Sequence, residues 1–157
     1  YRYGAPFGLA GTYVEVDLDN QQLTFFKNGT VIVNTNIVSG KVGQWHTPTG
    51  LYEAHNRQTN CTLTGADYEV FVKYWVSVIG DSIGLHDASW RSVFGGDQYI
   101  FNGSHGCINM QVADAKWMYD FATIGTRVVV DGTTPTSGQT LRPAGADATG
   151  WQGGNAS

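Results

Sequence analysis

Hydrophobic and polar positions alternate along much of this chain, and the alternation predicts strands. Thr12 to Asp17 alternates and reads as a first strand, and Gln22 to Lys27 as a second. Asn28-Gly29 follows, the strongest short hairpin signal. Thr30 to Val38, rich in Thr, Val and Ile, returns, and Ser39-Gly40-Lys41 closes it. Tyr13 to Val38 is therefore expected to form a three-stranded antiparallel meander. Leu51 to Arg57 predicts a further strand. Tyr68 to Ile79, dense in Val, Tyr, Phe and Trp, predicts one or two central strands, and Ser82 to His86 a short one ending at the histidine. One segment changes period. Val112, Ala115, Met118 and Tyr119 recur at helical spacing within Gln111 to Ala122, with Asp114 in the first turn, where the helix dipole favours an acid. Gly125 is the expected stop, and Arg127 to Val130 the last strand. The pattern predicts a mainly β fold, a sandwich or barrel-like pair of sheets with one main helix.

The connections carry the polar residues. Trp45 to Gly50 reads as a polar loop in which His46 packs on Trp45. His55 shares a face with Glu53 and is expected to be solvated. Gln58 to Asp67, rich in Thr and Asn and containing Cys61, suits a mobile flap. Asp87 to Gly103 is a long loop holding Trp90, Phe94 and Gly95-Gly96, and loops of that length in compact domains are usually functional. Residues 1–11 read as a linker arriving from an upstream domain, 12–131 as the functional domain, and 132–157 as a Gly/Thr/Ala-rich extension.

Composition narrows the classes. A chain of 157 residues suits one domain. Hydrophobic residues make up 41%, enough for a core, while charged residues are only 14%, below the usual quarter. The net charge is −4 with no Lys/Arg cluster, so the footprint of a nucleic-acid binder is absent. No apolar run reaches the ~18 residues a spanning helix needs. Low charge with many Asn, Thr and Gly suits a secreted protein. Cys61 and Cys107 form no disulfide framework, and sequence does not decide whether they pair. Cys61 reads as a packed thiol in preference to a resolving partner of Cys107.

Ser104-His105-Gly106-Cys107-Ile108-Asn109 concentrates the chemistry. A thiol beside an imidazole and a residue without a side chain supplies a nucleophile, a base and backbone N–H groups able to meet an oxyanion. The hexamer alone would equally suit a buried cysteine in a turn. A zinc site of His86, His105 and Cys107, with His46 as fourth ligand, is the competing reading, but no Cys-x-x-Cys or His-x-x-x-His spacing supports it. A binding module without activity would have no use for the nucleophile.

What alters the balance is Ile83-Gly84-Leu85-His86-Asp87-Ala88-Ser89-Trp90, with 17 residues between His86 and Ser104. His, a spacer of that length, then Ser-His-Gly-Cys, an apolar residue and Asn resembles the L,D-transpeptidase catalytic domain of bacterial peptidoglycan synthesis. The resemblance covers about Thr12 to Asp131. Gly84-Leu85-His86-Asp87 and Val93-Phe94-Gly95-Gly96-Asp97 place it near the Gram-positive branch. It implies that Cys107 attacks the third-residue carbonyl of a stem tetrapeptide, releases D-Ala and passes the acyl group from a thioester to an acceptor amine, giving a 3→3-type cross-link. Water as acceptor would make a carboxypeptidase. It further implies His86 as base, oriented by the C=O or the carboxylate of Asp87. The N–H groups of Gly106 and Cys107 would form the oxyanion hole, with Tyr68 near it. His105 is assigned a structural and substrate-side role. Ser104 and Asn109 are expected to brace the loop by hydrogen bonds, and Trp90 and Tyr74 fit either the core or the groove. No metal or cofactor is implied. The implied partners are peptidoglycan stem peptides, with carbapenems as inhibitors, and the implied location is extracytoplasmic, at the cell wall or membrane-anchored through an N-terminal region.

Overall fold

Two β-sheets pack face to face in the computed structural model, which describes residues 11–64 and 69–132. In chain order the strands are β1 (Tyr13–Asp17), β2 (Gln22–Lys27), β3 (Thr30–Asn36), β4 (Gly50–Glu53), β5 (Asn56–Thr64), β6 (Glu69–Ile79), β7 (Ile83–Asp87), β8 (Ile108–Met110) and β9 (Arg127–Asp131). One sheet runs β3-β2-β1-β9-β4 and the other β5-β6-β7-β8. Each sheet contains one parallel pair, β1 with β9 and β7 with β8. Parallel neighbours need a long crossover, and the β7–β8 crossover is the segment that contains most of the expected functional loop. Part of that loop is ordered as a single helical turn, α1 (Gln98–Phe101).

The expected meander forms. β1, β2 and β3 pair antiparallel, and the β2–β3 turn places Asn28 at φ 52° and Gly29 at φ 80°, the left-handed pair an Asn-Gly hairpin turn requires. The core lies between the sheets: Val14, Val16, Leu23 and Val130 from one meet Val76, Leu85, Ile108 and Met110 from the other. Each such side chain, fully buried, contributes roughly 1.5–3 kcal/mol of transfer free energy. The main helix, α2 (Val112–Phe121), closes the core with Ala115 and Met118 and contacts β3, β6 and β7. The Thr35 hydroxyl donates to the Asp114 carboxylate and fastens α2 to β3.

Three expectations are corrected. Gln58 to Thr64 is strand and not a flap: β5 pairs with β6 from Asn56↔Ser77 to Thr64↔Glu69. Its side chains are half-buried or exposed, so the strand is held by backbone hydrogen bonds at a sheet edge and has no need of an apolar face, which hid it from pattern reading. Leu51 to Arg57 is not one strand. It turns at Ala54 and His55, sending Gly50–Glu53 to one sheet and Asn56 onward to the other. Gly125 does not cap α2. Ala122 does, donating its N–H to Met118 C=O, and Gly125 (φ 91°) lies in the turn that follows.

The segment after β3 matters for the site. Val38 and Asn109 exchange backbone hydrogen bonds, each 2.9 Å, which extends the second sheet beyond β8. The buried Gln21 amide anchors that segment, donating to Ser39 Oγ at 2.8 Å and accepting from the Ser39 N–H at 3.0 Å.

Candidate active site

Cys107 ends the loop that enters β8. Adjacent residues of a strand face opposite ways, so while Leu85 and Ile108 enter the core, His86, Asn109 and Cys107 face the other side of the sheet. The thiol lies against the turn before β7, where it donates to Ser82 C=O and accepts from the Gly84 N–H, both at 3.3 Å. Cys107 is fully buried. Val72 and Trp75 of β6 pack on it, and Cys61 and Leu63 of β5 flank that cluster.

Within the loop, the Ser104 hydroxyl donates to Cys107 C=O at 2.6 Å and accepts from the Gly106 N–H at 3.0 Å. Ser104 thus braces the loop as anticipated. The same contact corrects the expected role of Gly106, because its N–H is committed to Ser104 and not presented to an oxyanion.

His86 is fully buried at the register position opposite Asn109 on β8 and Trp75 on β6. Its Nδ1 lies 2.7 Å from Asp87 C=O. A carbonyl only accepts, so Nδ1 carries the proton and a neutral ring has Nε2 as its basic atom. Of the two Asp87 groups that sequence left open as the orienting element, the structure selects the C=O. The carboxylate does something else: it accepts the Lys73 N–H (2.9 and 3.1 Å) and the Tyr74 N–H (2.8 Å). Consecutive N–H groups of a regular strand point to opposite sides, so sharing one acceptor marks a kink in β6. The β5–β6 ladder is interrupted there too: Asn60, at φ 52°, and Lys73 stand opposite each other without pairing, while the register on either side is unchanged. The kink lets Val72 and Trp75, three residues apart, both reach Cys107.

The remaining expected residues separate into groups. Trp75 and Trp90 flank the His86 ring at 5.8 and 6.1 Å between centroids. Trp90 is 41% exposed and lines a cavity of about 290 Å³ with Arg91, Gln98 and Asn102. His105 stands edge-on to Trp45, 5.1 Å away, so Trp45 packs on His105 and is not reserved for His46. His46 is buried with neither ring nitrogen hydrogen-bonded, and burial lowers its pKa. His55 is exposed as expected, with Nε2 at 2.7 Å from Gly80 C=O. Asn109 corrects an expectation: its backbone pairs with Val38, but both side-chain amide atoms are buried without a partner, so the side chain braces nothing. Tyr74 packs toward the core beside Tyr119. Tyr68, residues 1–10 and residues 133–157 lie outside the described residues. Both cysteines are free thiols, and burial, then the charge of Asp87, raises the Cys61 pKa. Among the described residues no three His, Cys, Asp or Glu side chains converge as metal ligands.

Sequence reading missed Val72, Trp75, Ser82 and Thr47. Ser82 acts through its backbone, which leaves no side-chain signal. Thr47 sat in a loop that read as merely polar.

The comparisons agree with this geometry. The L,D-transpeptidase catalytic domain family (YkuD) matches residues 11–130. L,D-transpeptidase 2 of Mycobacterium tuberculosis is 33% identical over 150 residues, 81% of this chain and 35% of that protein. The crystal structure of an Enterococcus faecium L,D-transpeptidase mutant superposes with a TM-score of 0.73 at 38% identity, covering 77% of this chain and 50% of that one. The NMR structure of the E. faecium catalytic domain acylated by ertapenem gives 0.70 at 38% identity, covering 78% and 98%. This chain thus spans about a third of the curated relative and nearly all of the isolated catalytic domain. With the His86 strand paired in parallel to the strand that follows Cys107 and the family match running through both, the chain belongs to the L,D-transpeptidase catalytic domain family.

Proposed function

We propose that this domain is a peptidoglycan L,D-transpeptidase with Cys107 as nucleophile and His86 as general base. The observation that carries the reading is the Nδ1 contact of His86 with Asp87 C=O on a strand paired to the one that Cys107 leads into. It fixes the tautomer whose Nε2 accepts a thiol proton. Sγ attacks the third-residue carbonyl of a stem tetrapeptide, D-Ala leaves with a proton, and an acceptor amine cleaves the thioester. Because Cys107 is covered by Val72 and Trp75, entry of the donor peptide requires those side chains to shift. The buried, unpartnered Asn109 amide meets a backbone group of the bound peptide, and Trp90 forms a wall of the groove. Acylation of the related E. faecium domain by ertapenem supports carbapenems as ligands here. A substrate of this kind places the enzyme outside the cytoplasm, at the cell wall.

The test is incubation with a disaccharide-tetrapeptide and mass analysis of the products. A dimer formed with loss of one D-Ala is expected, and Cys107→Ser should abolish it. Tripeptide alone would make water the acceptor and the enzyme a carboxypeptidase. Unchanged peptide would refute the catalytic reading.

A further inference from the structure

The segment from Ser39 to Thr47 forms a bed for the nucleophile loop. The Ser104 N–H donates to Ser39 C=O at 3.0 Å, and the Lys41 N–H to Ser104 C=O at 2.8 Å. Thr47, 1% exposed, ties the two backbones: its Oγ1 accepts the Gly40 N–H at 3.0 Å and donates to Gly106 C=O at 2.7 Å. The approach is so close that a Cβ on residue 40 would lie 2.9 Å from Gly106 Cα and 1.7 Å from Trp45 O. Only glycine fits there.

A peptide unit is planar and trans, so its C=O and N–H point in opposite directions. Gly106 C=O and the Cys107 N–H belong to one unit. With the C=O fastened to Thr47, the Cys107 N–H is turned to the far side, away from Thr47. A flip of the unit would leave the buried Gly106 carbonyl without its donor and the buried Thr47 hydroxyl without its acceptor. Ser104 holds the groups on either side, accepting the Gly106 N–H and donating to Cys107 C=O. The Cys107 N–H is therefore the donor of this loop whose direction Thr47 sets.

We infer that Thr47 is a positioning residue for acyl transfer: its hydroxyl orients the Gly106–Cys107 peptide so that the Cys107 N–H meets the oxyanion formed when Sγ adds to a carbonyl. This rests on the acyl-transfer reading above, and it adds to that reading a residue far from the His-Cys motif in sequence.

Two thiol reactions separate positioning from mere structure. With p-nitrophenyl acetate, an Sγ–C bond forms and the carbonyl electron pair moves onto oxygen. Collapse of that oxyanion expels p-nitrophenolate, and the thiol proton passes through His86 to solvent. Iodoacetamide alkylates Sγ with loss of iodide at a saturated carbon, and no oxyanion forms. Thr47→Val should slow acylation by about 10²-fold while alkylation stays within about three-fold of wild type, the scale expected for a misplaced oxyanion donor. Thr47→Ser, which keeps the hydroxyl, should restore acylation. Thr47→Ala, which removes the hydroxyl without adding a methyl in its place, is the second variant should the valine protein not fold. It should show the same selective loss. Wild-type acylation in either variant, equal loss of both reactions, or failure of the serine to rescue would overturn the inference. So would a wild-type protein that alkylates at Cys107 but resists the ester. Thr47-dependent ester acylation without peptide dimer formation would instead count against the proposed substrate alone.

Discussion

Asp87→Asn separates the two jobs that Asp87 performs. Its carbonyl holds His86, while its carboxylate holds the Lys73 and Tyr74 N–H groups of β6. The substitution leaves the carbonyl in place and removes the charge. Hydrogen bonds to an ionised acceptor contribute about 1.5–3 kcal/mol each and neutral ones about 0.5–1.5. Two donors losing charge assistance therefore cost about 2–3 kcal/mol. For a domain of this size that lowers Tm by roughly 6–15 °C. The proton on Nδ1 is unaffected, so turnover per folded molecule should fall by less than about ten-fold. If the carboxylate oriented the base, as in the serine-protease triad, the loss would approach about 10⁴-fold. The assay is D-Ala release from tetrapeptide, measured at a temperature where both proteins are folded, beside a thermal melt. Unchanged Tm with a loss of about 10³-fold or more in turnover would refute the division of labour.

Glu15 is buried beside Asp131 and Asp17 on the outer face of β1 and β9, and burial, then those charges, raises its pKa from 4.5 to about 7. A raised folded-state pKa means the stabilisation is complete below the unfolded value and lost as pH rises through about 7. Wild type should therefore lose denaturation midpoint between pH 5 and 8 relative to Glu15→Gln, and parallel curves would contradict this. Asn109→Ala breaks no side-chain hydrogen bond in the free protein. It should leave Tm within about 3 °C of wild type and raise KM for tetrapeptide, whereas a large Tm loss would show that the amide is satisfied within the fold. Cys61 packs beside the Cys107 cluster with a raised pKa. Cys61→Ala should keep cross-linking activity, and its loss would make Cys61 part of the chemistry.

Local signals carried much of the architecture into the sequence. Asn28-Gly29 announced the hairpin, and the 3.6-residue spacing of Val112, Ala115 and Met118 announced α2. β5 escaped because an edge strand pinned by backbone hydrogen bonds needs no alternation: Thr59, Asn60 and Thr62 could equally have been loop. At the site, His86 and Cys107 were legible as residue types at a telling spacing, and the parallel β7–β8 pairing explains that spacing, since a crossover must fit between them. The burial of Cys107 was not legible, because it depends on a kink in β6 fixed by a carboxylate from β7. Thr47 was hidden for a similar reason: its hydroxyl acts on the backbone of residues 59 positions away. Asn109 misled, since a short polar side chain in a loop motif usually braces its neighbours, whereas here the strand backbone does so.

The central claim is that Cys107 is acylated with His86 as its base. Intact-mass spectrometry with peptide mapping after ertapenem treatment tests it most directly, run on wild type, His86→Ala and His105→Ala. One adduct on Cys107 is expected in wild type, forming at a comparable rate in His105→Ala and about 10²–10⁴-fold more slowly in His86→Ala. An adduct on Cys61, or slow acylation in His105→Ala with an unaffected His86→Ala, would contradict the account.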